Sequence, residues 1–349
     1  MKLSDRLKIG SQILVSKTTG SPRPFFVQYG LLNACNARCA YCNYPDRPDA
    51  RIPVGQHLLA LREFARLGAL RIKFLGGEPL LFEPLDTLVD EVRRLGMRSS
   101  IVTNGFLIPE RMDLVRQIAE IAISIDGSEE AHDRQRGAGT WRRVMAAIEA
   151  CHREKLDFFL TAVVTKRSLD ELDWLIATAR RFQVMLNLQM LQHKEELYGV
   201  EAREWLPSRD EARVLLNRII AAKRAGAPIL FTERSHRQTL EWEDFSVERL
   251  ERPGERSPCV AGTYFVHMDA NGDLYPCFQH VGSFAAKNVF SDGVEAAWRN
   301  TQQHTCVSCY CTWLNECRAI FDLQPAVLAN FWQNYMRPHA PGGALDASG

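Results

Sequence analysis

The sequence contains neither a long apolar run nor a surplus of charge of either sign. No window holds the about 18 apolar residues that a membrane-spanning helix needs, and the N-terminal stretch MKLSDRLKIGSQILVSK lacks the apolar core of a signal peptide. The 43 basic and 42 acidic residues nearly cancel, which gives no reason to expect binding to nucleic acid or to an anionic membrane. We therefore expect a cytoplasmic protein without a membrane span and without a nucleic-acid partner.

Cysteine, by contrast, is present in ten copies. In a reducing compartment, clustered thiols indicate metal ligands or catalytic groups rather than a disulfide framework. Cys151 stands alone on an amphipathic segment, and we predict that it is a small core residue. The others form a first group, Cys35, Cys39 and Cys42, and a second group, Cys259, Cys277, Cys306, Cys309, Cys311 and Cys317.

Between the two groups, strand-like and helix-like segments alternate. The apolar periodicity predicts a helix around Trp141–Ile148, and Ser168 with Glu171 is predicted to form the capping box of a further helix. Repeated strand–helix units imply parallel strands with right-handed crossovers. Six units are too few for a closed eight-stranded barrel, so we predict an α/β fold with an open, partial (β/α)6 barrel. The predicted strands are Phe25–Gly30, Arg71–Leu75, Ser99–Thr103, Ile121–Ile125, Phe158–Val164 and Met185–Gln189.

Distinctive loops follow the first four predicted strands. They are the cysteine loop Cys35–Cys42, GGEP (Gly76–Pro79), TNG (Thr103–Gly105) and SIDG (Ser124–Gly127). In parallel α/β folds, ligands bind at the C-terminal ends of the strands. We therefore expect one mouth of the barrel to gather all four loops.

The first cysteine group has three thiols rather than four. Four protein ligands close a metal site, whereas three leave one position open for chemistry. An iron–sulfur cluster is normally held by four thiolates, so a cluster held by three would have one iron free to bind a small molecule. An incomplete zinc site, or cysteines scattered through the core, is the alternative interpretation.

The loops together decide between these interpretations. CNARCAYC resembles the CxxxCxΦC signature of radical S-adenosylmethionine (radical SAM) enzymes, with Tyr41 as the aromatic residue Φ. The resemblance continues through LGGEP, TNG, SIDG and HDRQRGAGTW (His132–Trp141), in that family's order, and covers roughly residues 22–195. It implies that Cys35, Cys39 and Cys42 hold a 4Fe-4S cluster whose fourth iron is chelated by SAM.

The resemblance also implies a set of SAM-binding residues. Glycine lets backbone approach a ligand closely, and arginine suits a carboxylate. Gly76, Gly77 and Glu78 would contact the methionine amino group, and Tyr41 the adenine through its backbone. Ser124 and Asp126 would approach the ribose and methionine portion, Arg136 would pair with the carboxylate, and Asn104 of the TNG loop would also contact SAM. Alternatively, Ser124 and Asp126 form an ordinary strand-end turn, and Arg136 is a solvated charge.

The implied chemistry is that of a radical enzyme. A reduced cluster would cleave SAM to methionine and a 5′-deoxyadenosyl radical, which abstracts a hydrogen atom from an unreactive C–H bond. An electron donor such as flavodoxin or ferredoxin is the implied partner. No catalytic side chain of the chain itself is assigned from the sequence.

The second cysteine group surrounds a predicted hairpin. Asn271-Gly272 is a two-residue turn signal in which both residues can take positive φ, and Cys259 and Cys277 stand at the two bases of the hairpin. Zinc could bind such a set, but the pattern resembles the SPASM and Twitch extensions of radical SAM enzymes, which carry auxiliary iron–sulfur clusters. The full SPASM pattern has seven cysteines for two clusters, whereas six are present here at different later spacings. We expect one auxiliary 4Fe-4S cluster held by Cys259, Cys277, Cys306 and Cys309, with Cys311 and Cys317 as alternative ligands.

The predicted organisation has five parts. Ser208 and Glu211 are predicted to cap a helix within residues 196–256, and apolar positions predict a packing helix over Ala319–Met336. The parts are an N-terminal segment (1–21), the radical SAM core (22–195), a helical connection (196–256), a SPASM/Twitch-like α+β extension (257–318), and the C-terminal helix with a disordered tail (319–349).

The substrate is the least determined property. We expect a small-molecule or lipid-like metabolite of a biosynthetic pathway, with a dehydrogenation assisted by the auxiliary cluster as the expected reaction. The alternatives are a peptide-modifying enzyme (a RiPP maturase), an adenosyl transferase and, outside enzymes, a zinc-binding module. About two dozen residues precede the first predicted strand, so no fused leader-binding domain is expected.

Overall fold

The computed structural model describes residues 3–192, 194–254 and 259–336. The strands are β1 Phe26–Gly30, β2 Arg71–Leu75, β3 Arg98–Thr103, β4 Ile121–Ser124, β5 Phe158–Val164, β6 Leu186–Met190, β7 Arg249–Glu251, β8 Phe265–Met268, β9 Asp273–Tyr275, β10 Lys287–Asn288 and β11 Cys306–Cys309. The helices are α1 Leu3–Thr19, α2 Val54–Arg66, α3 Leu85–Arg94, α4 Met112–Val115, α5 Glu129–Arg136, α6 Thr140–Arg153, α7 Leu172–Arg181, α8 Glu195–Tyr198, α9 Arg209–Arg224, α10 Glu233–Leu240, α11 Val294–Thr301, α12 Thr312–Phe321 and α13 Pro325–Met336.

The six predicted strands are confirmed as β1 to β6, and they pair in parallel in chain order. Alternation along each strand separates two faces. In β2, for example, Ile72 and Phe74 are fully buried against the helical layer, whereas Arg71 and Lys73 face a cavity on the other side.

That cavity shows that the sheet is curved. Each of the strands β1 to β6 contributes to its wall, as a flat sheet could not do. One wall residue from each strand is Gln28, Lys73, Val102, Ala122, Thr161 and Gln189. The predicted partial barrel and the α/β fold class are therefore confirmed.

The helix predictions had mixed outcomes. Helix α6 buries Val144, Met145 and Ile148 on one face, and Cys151 on the same helix is fully buried, as predicted. The capping box of α9, formed by Ser208 and Glu211, is also present.

The capping box at Ser168 is wrong. The Ser168 hydroxyl accepts a hydrogen bond from the Thr165 N–H at 3.1 Å. The Glu171 carboxylate accepts one from the Ser128 N–H at 2.7 Å. A local turn bond therefore occupies the Ser168 hydroxyl, and a tertiary contact occupies the Glu171 carboxylate, so the predicted cap does not form.

The extension continues the core sheet. Strand β8 pairs in parallel with β1, and β9 and β10 follow antiparallel, so the described residues form one sheet in the order β10-β9-β8-β1-β2-β3-β4-β5-β6. Strands β7 and β11 form a separate antiparallel pair. The boundary predicted between residues 256 and 257 lies outside the described residues.

The predicted hairpin is confirmed as β8–β9, but its turn differs from the expected one. The Gly272 N–H bonds to the Asp269 carbonyl at 2.9 Å. Gly272 has a φ of 93°, while Asn271 is not among the residues with positive φ. A three-residue connection ending in a left-handed glycine needs only one positive φ, so Asn271 keeps an ordinary conformation.

The C-terminal segment forms two helices rather than one. Helix α12 ends at Phe321, Leu323 has a φ of 54°, and Pro325 begins α13. Proline cannot continue a helix across its own position, so the single helix predicted over Ala319–Met336 is wrong. The predicted disordered tail lies outside the described residues. Among the described helices, none combines the length and apolarity that a membrane span requires.

Candidate active site

The cysteine loop follows β1 and gathers three half-buried thiols. Burial raises the pKa of all three, and that of Cys39 reaches about 12. Nearby Arg136 lowers each of these pKa values, whereas Cys42 and Cys35 raise that of Cys39. The three sulfurs therefore lie within electrostatic range of one another, and a bound cation would favour their thiolate forms.

Asn104 connects the TNG loop to the cysteine loop. Its side-chain Nδ2 donates to Asn36 Oδ1 at 2.8 Å and lies 3.8 Å from Cys35 Sγ. The Ala37 N–H also points to Cys35 Sγ, at 3.4 Å. Hydrogen bonds to the sulfurs are one means by which a protein tunes an iron–sulfur cluster.

The two glycines of the GGE loop lie directly against the chain that precedes the cysteines. A Cβ atom at Gly76 would lie 2.2 Å from the Leu32 carbonyl oxygen, and one at Gly77 would lie 2.1 Å from the Ala34 carbonyl oxygen. The Gly77 N–H donates to Leu32 O at 2.8 Å. Glycine is thus required here by backbone–backbone contact, a reason that adds to the predicted approach of SAM.

Glu78 is fully buried and holds three segments together. Its carboxylate accepts hydrogen bonds from the Thr103 hydroxyl at 2.7 Å, the Asn104 N–H at 2.8 Å and the Leu80 N–H at 3.0 Å. Burial raises the pKa of Glu78 to about 7, although these donors lower it. The predicted contact of Glu78 with the SAM amino group stays a prediction, and the observed bonds assign it a positioning role.

Asp126 and Arg136 form a buried bidentate ion pair. Arg136 Nε and Nη2 donate to the Asp126 carboxylate at 2.6 and 3.0 Å. Asp126 also accepts from the Val163 N–H at 3.0 Å and from the Tyr41 hydroxyl at 2.8 Å. Arg136 is therefore not a solvated charge. Its predicted pairing with the SAM carboxylate stays a prediction, and Ser124 lies nearby on the cavity wall.

The cavity inside the curved sheet was not predicted from the sequence. It leaves about 870 Å³ unfilled by protein atoms, part of it open to solvent. Phe278, Cys311 and Trp313 of the C-terminal region complete its wall. The sequence feature that could have predicted this cavity is the occurrence of polar residues at alternate positions of otherwise apolar strands, such as Arg71 and Lys73 in RIKFL.

The second cysteine group converges in space. Cys259, Cys277, Cys309 and Cys311 share one apolar cluster with Phe265. Burial raises the pKa of Cys277 well above its usual value, and Cys259 and Cys306 raise it further. Three of the four predicted ligands, Cys259, Cys277 and Cys309, therefore lie together with Cys311, which the sequence offered as an alternative, and Cys306 lies within electrostatic range of Cys277. Which of these thiols hold a cluster stays a prediction.

Cys306 and Cys317 have different surroundings. The Cys306 sulfur and ring nitrogens of His280 and His304 lie within 4.8 Å of one another. Cys317 packs instead in another apolar cluster, with Phe25 and Phe321. Five gathered thiols contain enough ligands for the four-thiolate set of a 4Fe-4S cluster, so the donors fit the auxiliary group.

Comparison with known proteins identifies the class. Residues 29–179, which begin at the end of β1 and include β2 to β5 and all four loops, match the radical SAM superfamily. Residues 29–179 therefore form a radical SAM domain, and the chain is a radical SAM enzyme in which a cysteine-rich, SPASM-like extension follows this domain.

Three relatives have similar identity to the chain. Mycofactocin maturase MftC of Mycolicibacterium smegmatis is 26% identical over 298 residues, covering 82% of this chain and 72% of MftC. AdoMet-dependent heme synthase of Methanosarcina barkeri is 26% identical over 275 residues, covering 74% of this chain and 77% of the synthase. PqqA peptide cyclase of Gluconobacter oxydans is 26% identical over 273 residues, covering 74% of this chain and 71% of the cyclase.

Solved structures share the fold. Streptococcus suis SuiB bound to S-adenosylmethionine has a TM-score of 0.63 at 18% identity, covering 84% of this chain and 70% of SuiB. SuiB bound to the precursor peptide SuiA also has a TM-score of 0.63, at 16% identity, covering 85% of this chain and 70% of SuiB.

Proposed function

We propose that the protein is a peptide-modifying radical SAM enzyme. The observation that carries this proposal is the extent of its similarity to enzymes that mature peptides. The similarity to mycofactocin maturase spans 82% of the chain, and that to PqqA peptide cyclase spans 74%. It therefore extends beyond the residues of the barrel core. The sequence favoured a small-molecule substrate and gave a peptide as an alternative, and we now favour the peptide.

A small carboxylated or tetrapyrrole-like metabolite is the second candidate. The similarity to AdoMet-dependent heme synthase covers 74% of the chain, as much as that to the peptide cyclase. The cavity is concave and combines apolar side chains with a few polar groups, as small-molecule pockets do. It would also accept one side chain of a peptide with its flanking backbone.

The residues of the chain would divide the work as follows. Cys35, Cys39 and Cys42 hold the SAM-binding cluster, and Glu78 fixes the GGE loop beside it. When bound, the cluster and SAM supply a 5′-deoxyadenosyl radical that takes a hydrogen atom from the substrate. The cavity wall then orients the reacting C–H bond and excludes water.

The auxiliary 4Fe-4S cluster is proposed on Cys259, Cys277, Cys306 and Cys309, as expected from the sequence. Cys311 is the first alternative because it shares the apolar cluster of Cys277 and Cys309. Cys317 is disfavoured by its separate packing against Phe25 and Phe321.

The proposal is tested with candidate peptides. Anaerobically reconstituted enzyme, dithionite and SAM are incubated with synthetic peptides encoded by short reading frames beside the gene. We expect one peptide to change mass and to increase 5′-deoxyadenosine release, and the variant with Cys35, Cys39 and Cys42 all replaced by alanine to do neither. If no peptide changes mass while a small metabolite from a cell extract is consumed, the second candidate replaces the first.

A further inference from the structure

We propose that Lys73 binds a carboxylate of the substrate inside the barrel cavity. This inference rests on the proposed function and deepens it, because it names the chemical group that the substrate presents to the enzyme. The group is either an acidic side chain or the C-terminal carboxylate of a peptide, since the two have the same chemistry.

Lys73 lies in the middle of β2, on the face that points into the cavity. Its strand neighbours Ile72 and Phe74 are fully buried on the opposite face, as alternation along a strand requires. Lys73 itself is half-buried and lines the cavity wall. The accessible part of its side chain therefore faces the space in which a substrate would sit.

The Lys73 ammonium forms no ion pair within 4 Å among the described residues, although the Glu120 carboxylate and the Cys317 thiol lie within its electrostatic range. Its Nζ lies over the Trp313 ring, 5.3 Å from the ring centroid. An aromatic face attracts a cation, but it accepts no strong hydrogen bond. An ammonium that is removed from water without such a partner costs free energy.

The other charges around the cavity are already paired. Arg71, two residues earlier on the same strand, forms an ion pair with Glu120 across the cavity wall. Arg136 at the opposite end is paired with Asp126. One positive charge, that of Lys73, is thus left over in the described part of the cavity, and a ligand carboxylate would balance it.

The lowered pKa of the Lys73 ammonium agrees with a site that becomes neutral when a carboxylate binds. Burial lowers the pKa of Lys73 to about 8, Arg71 lowers it further, and Glu120 opposes the shift. A carboxylate bound beside the ammonium would favour its charged form.

Asn187 on β6 supplies a second polar group without a partner. It is 6% exposed, and its Nδ2 donates to the Thr161 hydroxyl at 3.1 Å. Its Oδ1 accepts no hydrogen bond within the described chain. A buried acceptor of this kind calls for a donor, such as a backbone N–H of a substrate. A carboxylate for Lys73 and an N–H for Asn187 together describe an amino-acid residue of a peptide.

The test uses three small probes with the reconstituted holoenzyme in the presence of SAM. N-acetyl-glutamate α-amide carries a side-chain carboxylate, N-acetyl-glutamine carries a C-terminal carboxylate, and N-acetyl-glutamine amide carries neither. Dissociation constants are measured by NMR titration. We expect at least one carboxylate probe to bind more tightly than the uncharged probe, and the better of the two identifies the source of the carboxylate.

Substitution of Lys73 then locates the binding. Lys73→Met should weaken binding of the carboxylate probe by roughly 10- to 100-fold, the effect of losing a charge-assisted hydrogen bond, and leave the uncharged probe unaffected. Lys287→Met, at an exposed position of β10, is the matched control and should bind as the parent does. Equal binding of all three probes to the parent, or equal carboxylate binding to Lys73→Met, overturns the inference.

A labelling experiment on the unmodified chain covers the case in which Lys73→Met does not fold. Lys73 is reductively methylated in the holoenzyme, and its modification is followed by peptide mapping. The carboxylate probe should protect Lys73 and leave Lys287 unprotected, and the absence of protection contradicts the inference.

The two proposals fail separately. If Lys73 binds carboxylates but no peptide is modified, the inference stands and the substrate class is a small carboxylic acid. If a peptide is modified equally well by the parent and by Lys73→Met, the peptide function stands and the inference is wrong.

Discussion

At the scale of single residues, buried carboxylates fix the loops of the candidate site through hydrogen bonds to other protein groups. Glu78 ties the GGE loop to the TNG loop, and Asp126 ties Arg136 and Tyr41 to the end of β4. Buried carboxylates are stable only when their lone pairs are satisfied. These residues thus position the loops around which SAM would bind, whatever further contacts they make with it.

Replacing Glu78 tests this positioning role. In Glu78→Gln, one amide N–H must face a backbone or hydroxyl donor, and the charge is lost. We expect the free energy of unfolding to fall by about 1–3 kcal/mol and the SAM dissociation constant to rise, with the iron content unchanged. Chemical denaturation and SAM titration at pH 8 measure the two effects. Glu83→Gln, an exposed neighbour in the same loop, is the control, and an unchanged SAM affinity in Glu78→Gln would remove Glu78 from the site.

At the scale of elements, two cysteine-bearing segments carry the thiols of the two proposed metal centres. The cysteine loop follows β1, and the second group is distributed between the β8–β9 hairpin and the region from β11 to α12. The first segment is supported by the GGE loop through direct backbone contact at Gly76 and Gly77. The second is supported by its own apolar cluster around Phe265.

Iron content distinguishes the two centres. Two 4Fe-4S clusters predict about eight irons per chain after anaerobic reconstitution, and about four after joint replacement of Cys35, Cys39 and Cys42 by alanine. Cys306→Ala should also retain about four irons, whereas Cys311→Ala and the core control Cys151→Ala should retain about eight. The reverse result for Cys306 and Cys311 would assign Cys311 as the ligand, and full iron content in the triple variant would refute the first centre.

The contact between the GGE loop and the cysteine loop gives a second prediction at this scale. Gly77 does not have a positive φ, yet a Cβ there would lie 2.1 Å from Ala34 O. Gly77→Ala should therefore displace the cysteine loop, lower the free energy of unfolding by about 1–3 kcal/mol and reduce iron binding at the first centre. Gly55→Ala is the control because a Cβ at Gly55 meets nothing within 4 Å. Parental iron content in Gly77→Ala would show that the loop tolerates the displacement.

At the scale of the whole molecule, core and extension are joined by one sheet and one cavity. Strand β8 pairs with β1 along Phe26–Tyr29, and Trp313 of α12 reaches the cavity wall beside Lys73. Arg47 near the cysteine loop pairs with Asp269 at the hairpin turn. The extension is therefore built into the barrel rather than attached to it.

This construction predicts that core and extension unfold together. Cys151 is buried in the core and Cys277 in the extension, so both should become reactive towards a thiol reagent at the same urea concentration in metal-free protein. Pulse labelling with mass spectrometry gives the two midpoints, and half-buried Cys35 serves as an early-reacting control. Labelling of Cys277 at clearly lower urea than Cys151 would show an independent extension.

The sequence by itself determined the strands and the loops that carry the thiols. Each of the six core strands was predicted within one residue of its observed bounds, because alternating apolar residues and turn signals act over short distances. The cysteine, GGE, TNG and SIDG loops followed from their places after those strands.

Only the tertiary structure decided which distant groups meet. The Glu171 carboxylate accepts a hydrogen bond from Ser128 instead of capping its own helix, and Arg136 pairs with Asp126. Cys311 packs in the same apolar cluster as Cys277. Lys73, which forms no ion pair within the described part of the chain, faces a cavity only because six strands together enclose it. The physical reason is that such partners are separated along the chain, so their contact depends on how the whole sheet curves and packs, which no local pattern records.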